Sequence, residues 1–266
     1  MYDRYNRNIN YLRISVTDRC NLRCTYCMPE EGIPLLHHSD ILTFDEIRDF
    51  TAVAALNGVT KVRITGGEPL VRKGITTLVG MLSGIEGITD LSMTTNGVLL
   101  ARYADDLRSA GLHRVNISLD TVDPEKYREI TRGGNIADVF EGIHAAKEAG
   151  LFPVKINCVI RESTEEVEAR DVKEYCIDNK LEIRYIHQMD LVNGHFSTVV
   201  GGTGGDCSLC NRLRLTANGK LKPCLFDSSG FDVRELGHEK AFKMAVALKP
   251  ECGSKNETGT FYNIGG

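Results

Sequence analysis

Six stretches of this chain read as strands, the first five alternating apolar and polar residues with a period of two, and helix-like stretches separate them. They cover residues 11–17, 60–65, 89–94, 113–119, 153–160 and 181–187. A period of two marks a strand with two unlike faces. Strand–helix alternation implies parallel strands, because a crossover helix returns the chain to the same end of the sheet. Parallel strands are usually buried on both faces and read as unbroken apolar runs. These strands do not. Leu12, Ile14 and Val16 oppose Arg13, Ser15 and Thr17; Val62 and Ile64 oppose Lys61, Arg63 and Thr65. Val115, Ile117 and Leu119 oppose Asn116, Ser118 and Asp120; Val154, Ile156 and Cys158 oppose Lys155 and Asn157. One face therefore packs on helices and the other lines a wet, partly cationic interior. A closed eight-stranded barrel fills its interior with branched apolar side chains. Six curved strands leave more room, so the expectation is an α/β fold, an incomplete (β/α)6 TIM-type barrel. Thr43-Phe44-Asp45-Glu46 and Ser163-Thr164-Glu165-Glu166 read as capping boxes, and Gly58 as a helix stop.

Three cysteines follow the first strand in a C-x3-C-x2-C spacing: Cys20, Cys24 and Cys27. Three thiolates so close can hold three corners of a cubane iron–sulfur cluster and leave one iron open. A disulfide framework does not fit a long chain with nine cysteines and no signal peptide. A zinc site usually takes four ligands in paired C-x2-C units. A second trio, Cys207, Cys210 and Cys224, is spaced C-x2-C-x13-C. The residues between read as a hairpin turning at Asn218-Gly219, which folds Cys224 back towards Cys210. Here a second cluster and a structural zinc knuckle both remain open, and Cys252 is either a fourth ligand or a spare thiol. Net charge is −4, which gives no general attraction to nucleic acid, and no apolar run is long enough to span a bilayer. Thiols with a cluster spacing fit a reducing cytoplasm.

The first trio, followed one strand later by Gly66-Gly67-Glu68-Pro69, resembles the radical S-adenosylmethionine (SAM) superfamily. The resemblance implies that SAM chelates the open iron and yields a 5′-deoxyadenosyl radical. It also implies SAM contacts from Tyr26, Gly67, Thr94, Ser118 and Met189. The runs Asn10–Cys20, Arg63–Leu70, Val115–Asp120 and Cys210–Thr216, with the terminal Ile264-Gly265-Gly266, resemble the MoaA-type GTP 3′,8-cyclase family of molybdenum cofactor biosynthesis. That likeness implies two [4Fe-4S] clusters, SAM as cofactor and GTP as substrate. It assigns GTP binding to Arg13, Lys61, Arg63, Lys155, Arg184, Arg212 and Arg214, and catalytic roles to Arg212, Arg214, Gly265 and Gly266. It further implies residues 1–190 as the barrel, 191–266 as a C-terminal auxiliary-cluster region, and a small electron donor such as flavodoxin or ferredoxin. No nucleic-acid or membrane partner is expected, and a homodimer is left open. Two departures stand out: a connector of only residues 190–206, rich in glycine, and His187 where the family usually has Glu. The rival readings are a radical SAM peptide maturase with one auxiliary cluster, and a non-catalytic metal-binding or electron-transfer module.

Overall fold

The computed structural model describes residues 1–189 and 197–253. Six parallel strands form where they are expected: β1 (Tyr11–Ser15), β2 (Lys61–Thr65), β3 (Asp90–Thr95), β4 (Arg114–Ser118), β5 (Lys155–Ile160) and β6 (Glu182–His187). Between them run α1 (Phe44–Leu56), α2 (Ile75–Ser83), α3 (Ala104–Ser109), α4 (Pro124–Thr131), α5 (Ile136–Glu148) and α6 (Val167–Asp178). Leu12, Ile14, Val62, Ile64, Val115 and Ile117 are fully buried under these helices. Each such side chain contributes about 1.5–3 kcal/mol by leaving water. The opposite face is the polar one. The sheet stays open, with β6 at one edge, as expected for an incomplete barrel.

Helix α1 begins as its sequence dictates. Thr43 accepts from the Glu46 N–H (3.2 Å) while the Glu46 carboxylate accepts from the Thr43 N–H (2.7 Å), closing the capping box. Gly58, at φ +97°, follows its last turn. The second expected box is only half made. The Glu166 carboxylate folds back onto the N–H groups of Arg161, Glu162 and Ser163. That side chain organises the preceding turn, and α6 starts at Val167.

The hairpin does more than the sequence suggested. Strands β7 (Arg212–Leu215) and β8 (Lys220–Lys222) pair antiparallel around Gly219 at φ +83°. Strand β7 also pairs in parallel with β1, Arg13 lying opposite Arg214 and Tyr11 opposite Arg212. The sheet therefore has nine strands in the order β6-β5-β4-β3-β2-β1-β7-β8-β9, β9 being Phe231–Asp232. Two further helices, α7 (Val233–Leu236) and α8 (His238–Ala247), follow it. Phe242 of α8 is fully buried, as is Phe50 of α1, whose ring meets His238 edge-on at 5.8 Å. At the open edge Val200 bridges antiparallel to Tyr185. The glycine-rich strap beyond Val200 then reaches back to β7, where Arg212 Nη2 donates to the Thr203 carbonyl at 2.9 Å.

Candidate active site

The first thiol trio sits on the loop that leaves β1. Cys20 and Cys24 are half-buried and Cys27 is exposed. The Cys27 and Met28 N–H groups both donate to the Cys24 carbonyl at 3.0 Å, which coils the loop tightly. Arg132 clamps it from below, donating to the carbonyls of Arg23 (2.9 Å) and Met28 (2.8 Å). The Gly66-Gly67 pair makes room for this loop. A Cβ on Gly67 would lie 2.4 Å from the Arg19 carbonyl oxygen, and one on Gly66 would lie 2.9 Å from that of Thr17. Only glycine tolerates such an approach. The Gly67 and Glu68 N–H groups donate to those same two carbonyls, at 2.7 and 2.8 Å.

Glu68 was not singled out by the sequence, yet it organises this corner. It is 1% exposed and accepts from Thr95 Oγ1 (2.7 Å), the Asn96 N–H (2.7 Å) and the Leu70 N–H (3.0 Å). Burial pushes its carboxyl up to about 7 against the pull of those three bonds. Asn96, so held, donates to Asn21 at 2.8 Å and lies 3.8 Å from Cys20 Sγ. Tyr26 donates to Asp120 at 2.7 Å, and Asp120 accepts from the Val159 N–H at 2.8 Å. A narrow cavity is lined by Cys24, Tyr26, Asn96, Ser118 and Asp120. Near it in sequence register, Thr94 leaves a buried hydroxyl without a hydrogen-bond partner. Met189 packs against the small buried cluster of Leu225 and Phe226.

The lumen rows are cationic and in register. Arg13 stands opposite Arg63 on one side and Arg214 on the other, and Asn157 lies opposite Arg184. The Arg63 and Arg212 guanidinium groups lie 5.5 and 5.8 Å from the Tyr11 ring centre. Arg13 Nε, Arg184 Nε and the Tyr11 hydroxyl are buried without hydrogen-bond partners. Burial, then the neighbouring Arg214, lowers the Arg13 pKa well below its ordinary value. Burial, then Arg212, brings Arg214 down to about 10. Buried like charges this close are costly unless an anion joins them. Two of the seven expected cations stand apart. Lys155 is paired with Glu182, and Lys61 is exposed at the start of β2. An eighth basic residue on this face, Arg114, went unnoticed in the sequence; it is tied to Asp90, with one bond of 2.8 Å.

The second trio lies at the other end of β7. The Cys210 N–H donates to the Cys207 carbonyl at 3.2 Å. Burial pushes the Cys210 thiol up, but Lys249, Arg212 and Arg214 together hold it below its ordinary value. Cys252 falls beside Cys207, whose thiol pushes that of Cys252 up. The first trio shows the reverse balance: burial pushes Cys20 to about 11 and Cys24 to about 12. Thiols so desolvated lose their protons readily only to a metal. Among the described residues no three His, Cys, Asp or Glu side chains converge on a single-ion site. Each trio does carry the three thiol donors that a cubane cluster with one open iron takes. Gly265 and Gly266 lie outside the described residues.

Comparison with known proteins joins these observations. A model of the radical SAM superfamily matches residues 14–174, and a model described as Molybdenum Cofactor Synthesis C matches residues 153–260. A GTP 3′,8-cyclase of Pelotomaculum thermopropionicum is 43% identical, with 94% of each chain covered. One from Moorella thermoacetica is also 43% identical, again over 94% of each chain. This chain belongs to the GTP 3′,8-cyclase family of radical SAM proteins. The alignment with the first of these family members runs to 306 positions, longer than the 266 residues here, so that relative carries stretches this chain lacks. Solved structures agree on the fold. SuiB of Streptococcus suis bound to its precursor peptide superposes with a TM-score of 0.56 at 20% identity, over 76% of this chain and 43% of that one. Methylornithine synthase gives 0.56 at 17%, over 69% and 54%. Among the described residues no helix is long and apolar enough to cross a membrane.

Proposed function

We infer that this chain is a radical SAM enzyme that cyclises GTP to 3′,8-cyclo-7,8-dihydro-GTP, the first step of molybdenum cofactor biosynthesis. The observation that carries this reading is the in-register arginine row between two cysteine trios. Cys20, Cys24 and Cys27 would hold one [4Fe-4S] cluster, and Cys207, Cys210 and Cys224 the other. When bound, the first cluster and SAM supply the one-electron chemistry that removes hydrogen from the ribose C3′. The protein binds, orients and shields the reactants. Thr94, Ser118 and the Tyr26–Asp120 pair offer polar groups for SAM beside the first trio. Arg13, Arg63 and Arg184 would grip the triphosphate, since guanidinium forks match phosphate oxygens in pairs. Arg212 and Arg214 lead away from Cys210 into the lumen and would hold the purine end with C3′ close to C8. Lys155 reaches phosphate only by leaving Glu182, which makes it a secondary contact.

Residues 1–190 act in this reading as the radical-generating barrel and 191–266 as the substrate-holding region. The Gly265-Gly266 tail would complete the pocket. The electron donor would be a small protein such as flavodoxin or ferredoxin, and the cytoplasm supplies the reducing surroundings that nine free thiols favour. An anaerobic assay of reconstituted protein with GTP and SAM, read by mass spectrometry, tests the whole. Formation of 5′-deoxyadenosine together with the cyclised nucleotide is the expected result. Deoxyadenosine without a GTP-derived product would point to another substrate.

A further inference from the structure

Cys207, Cys210 and Cys224 sit on irregular loops, and loop carbonyls need partners that no ladder supplies. Two buried cations provide them. Arg7, its side chain 5% exposed, is oriented by Asp3, whose Oδ2 accepts from Nε at 2.7 Å. Its Nη1 donates to the carbonyls of Cys207 (2.8 Å) and Glu251 (2.9 Å), and its Nη2 to that of Pro250 (2.7 Å). Lys249, 1% exposed, donates to the carbonyls of Arg212 (2.8 Å) and Pro223 (2.6 Å). One of these carbonyls belongs to Cys207 itself, one precedes Cys224 directly, and one follows Cys210 by two residues. All three cysteine-bearing segments are thus drawn onto one short stretch, Lys249 to Glu251, by charge-assisted bonds.

A lysine so deeply buried usually answers a carboxylate. Among the described residues no carboxylate pairs with Lys249; Cys210 and Cys224 are the acidic groups beside it. A neutral donor would satisfy the carbonyls equally well, so the charge itself calls for negative neighbours. We propose that Arg7 and Lys249 are positioning residues of the second cysteine site. They set its three thiols in place before metal arrives, and Lys249 leaves a fixed positive charge beside the group bound there. This rests on the reading that Cys207, Cys210 and Cys224 hold a cluster. A fixed positive charge favours the reduced, more negative state of such a group, so its removal lowers the reduction potential.

The test uses the whole chain with Lys249→Met, Lys249→Arg and Arg7→Gln. Amide hydrogen exchange of the metal-free protein reads the loops, and potentiometry followed by electron paramagnetic resonance reads each cluster. Lys249→Met should speed exchange across residues 206–225 at least tenfold. It should also lower the potential of the second cluster or prevent its loading. The first cluster serves as internal reference and keeps its signal and its SAM cleavage. Lys249→Arg should recover most of the potential, and Arg7→Gln should speed exchange around Cys207. Unchanged exchange and potential in Lys249→Met would overturn the proposal. So would equal loss of both clusters, which would make Lys249 a general stabiliser. Wild-type protein that binds no second cluster would instead overturn the cluster reading, and exchange alone would then decide the brace.

Discussion

The two cysteine trios sit in different electrostatic surroundings. The first is desolvated and faces carboxyl groups: Asp120 and Glu68 add to burial in pushing Cys24 and Cys20 up. The second sits among cations: Cys210 is held down, while burial still pushes Cys224 up against the pull of Lys249 and Arg214. The first is shaped largely by backbone, with carbonyls of the cysteine loop meeting the N–H groups of Gly67 and Glu68, beside the one exposed clamp of Arg132. The second is shaped by side-chain cations. A site whose own surroundings disfavour thiolate depends on its metal for charge balance. A site already ringed with positive charge can also hold an anionic substrate. The difference teaches that two trios of the same three ligands need not share a job.

The comparison breaks most sharply at the cysteines. Cys24→Ala should abolish SAM cleavage altogether, measured as 5′-deoxyadenosine. Cys210→Ala should leave SAM cleavage in place and abolish only cyclisation. Identical losses in the two variants would erase the distinction.

The lumen arginines come next. Each charge-assisted bond to phosphate contributes about 1.5–3 kcal/mol, or roughly 10- to 150-fold in affinity. Arg63→Ala or Arg184→Ala should weaken GTP binding on that scale, by isothermal calorimetry, with SAM binding nearly unchanged. Lys155→Ala should cost less, because Glu182 already neutralises it.

Glu68 gives a pH dependence confined to the first site. Its folded pKa of about 7 lies above the ordinary 4.5, so the folded state holds the proton longer. Its contribution to stability is therefore fully present below about 4.5 and is lost as pH rises through about 7. In metal-free protein, Glu68→Gln should flatten the fall of denaturation midpoint across that window. A slope unchanged by the substitution would remove Glu68 as its source.

Tyr26→Phe should have the smallest effect. It removes one hydrogen bond and leaves Asp120 with the Val159 N–H. About 1 kcal/mol of stability should be lost, visible in thermal melts, while the second trio's metal content stays the same.

Much of this was legible in advance, because face alternation and cysteine spacing are local. Arg13 and Arg63 could be assigned to the lumen from parity alone, whereas Arg184 came from the family likeness. Glu68 escaped because its partners, Thr95 and Asn96, come from the next strand end. The Lys155–Glu182 and Arg114–Asp90 pairs depend on strand register, which periodicity does not encode. Cys252 reaches Cys207 only because Arg7 draws Pro250 and Glu251 towards it, a contact spanning more than 240 positions. The glycines of the motif were expected to admit a ligand; in the fold their immediate service is to admit the cysteine loop.

The pairing of β1 with β7 has a consequence for how this chain is made. Strand β1 is synthesised early, and its outer partner begins about two hundred residues later, at Arg212. At roughly 5–20 residues per second, the ribosome leaves that edge bare for on the order of ten to forty seconds. An unpaired strand edge is a template for any neighbouring strand. A nascent chain interrupted before Arg212 would therefore carry a folded-looking half-barrel with an adhesive side, and would need a chaperone that covers β-edges more than one that covers apolar patches.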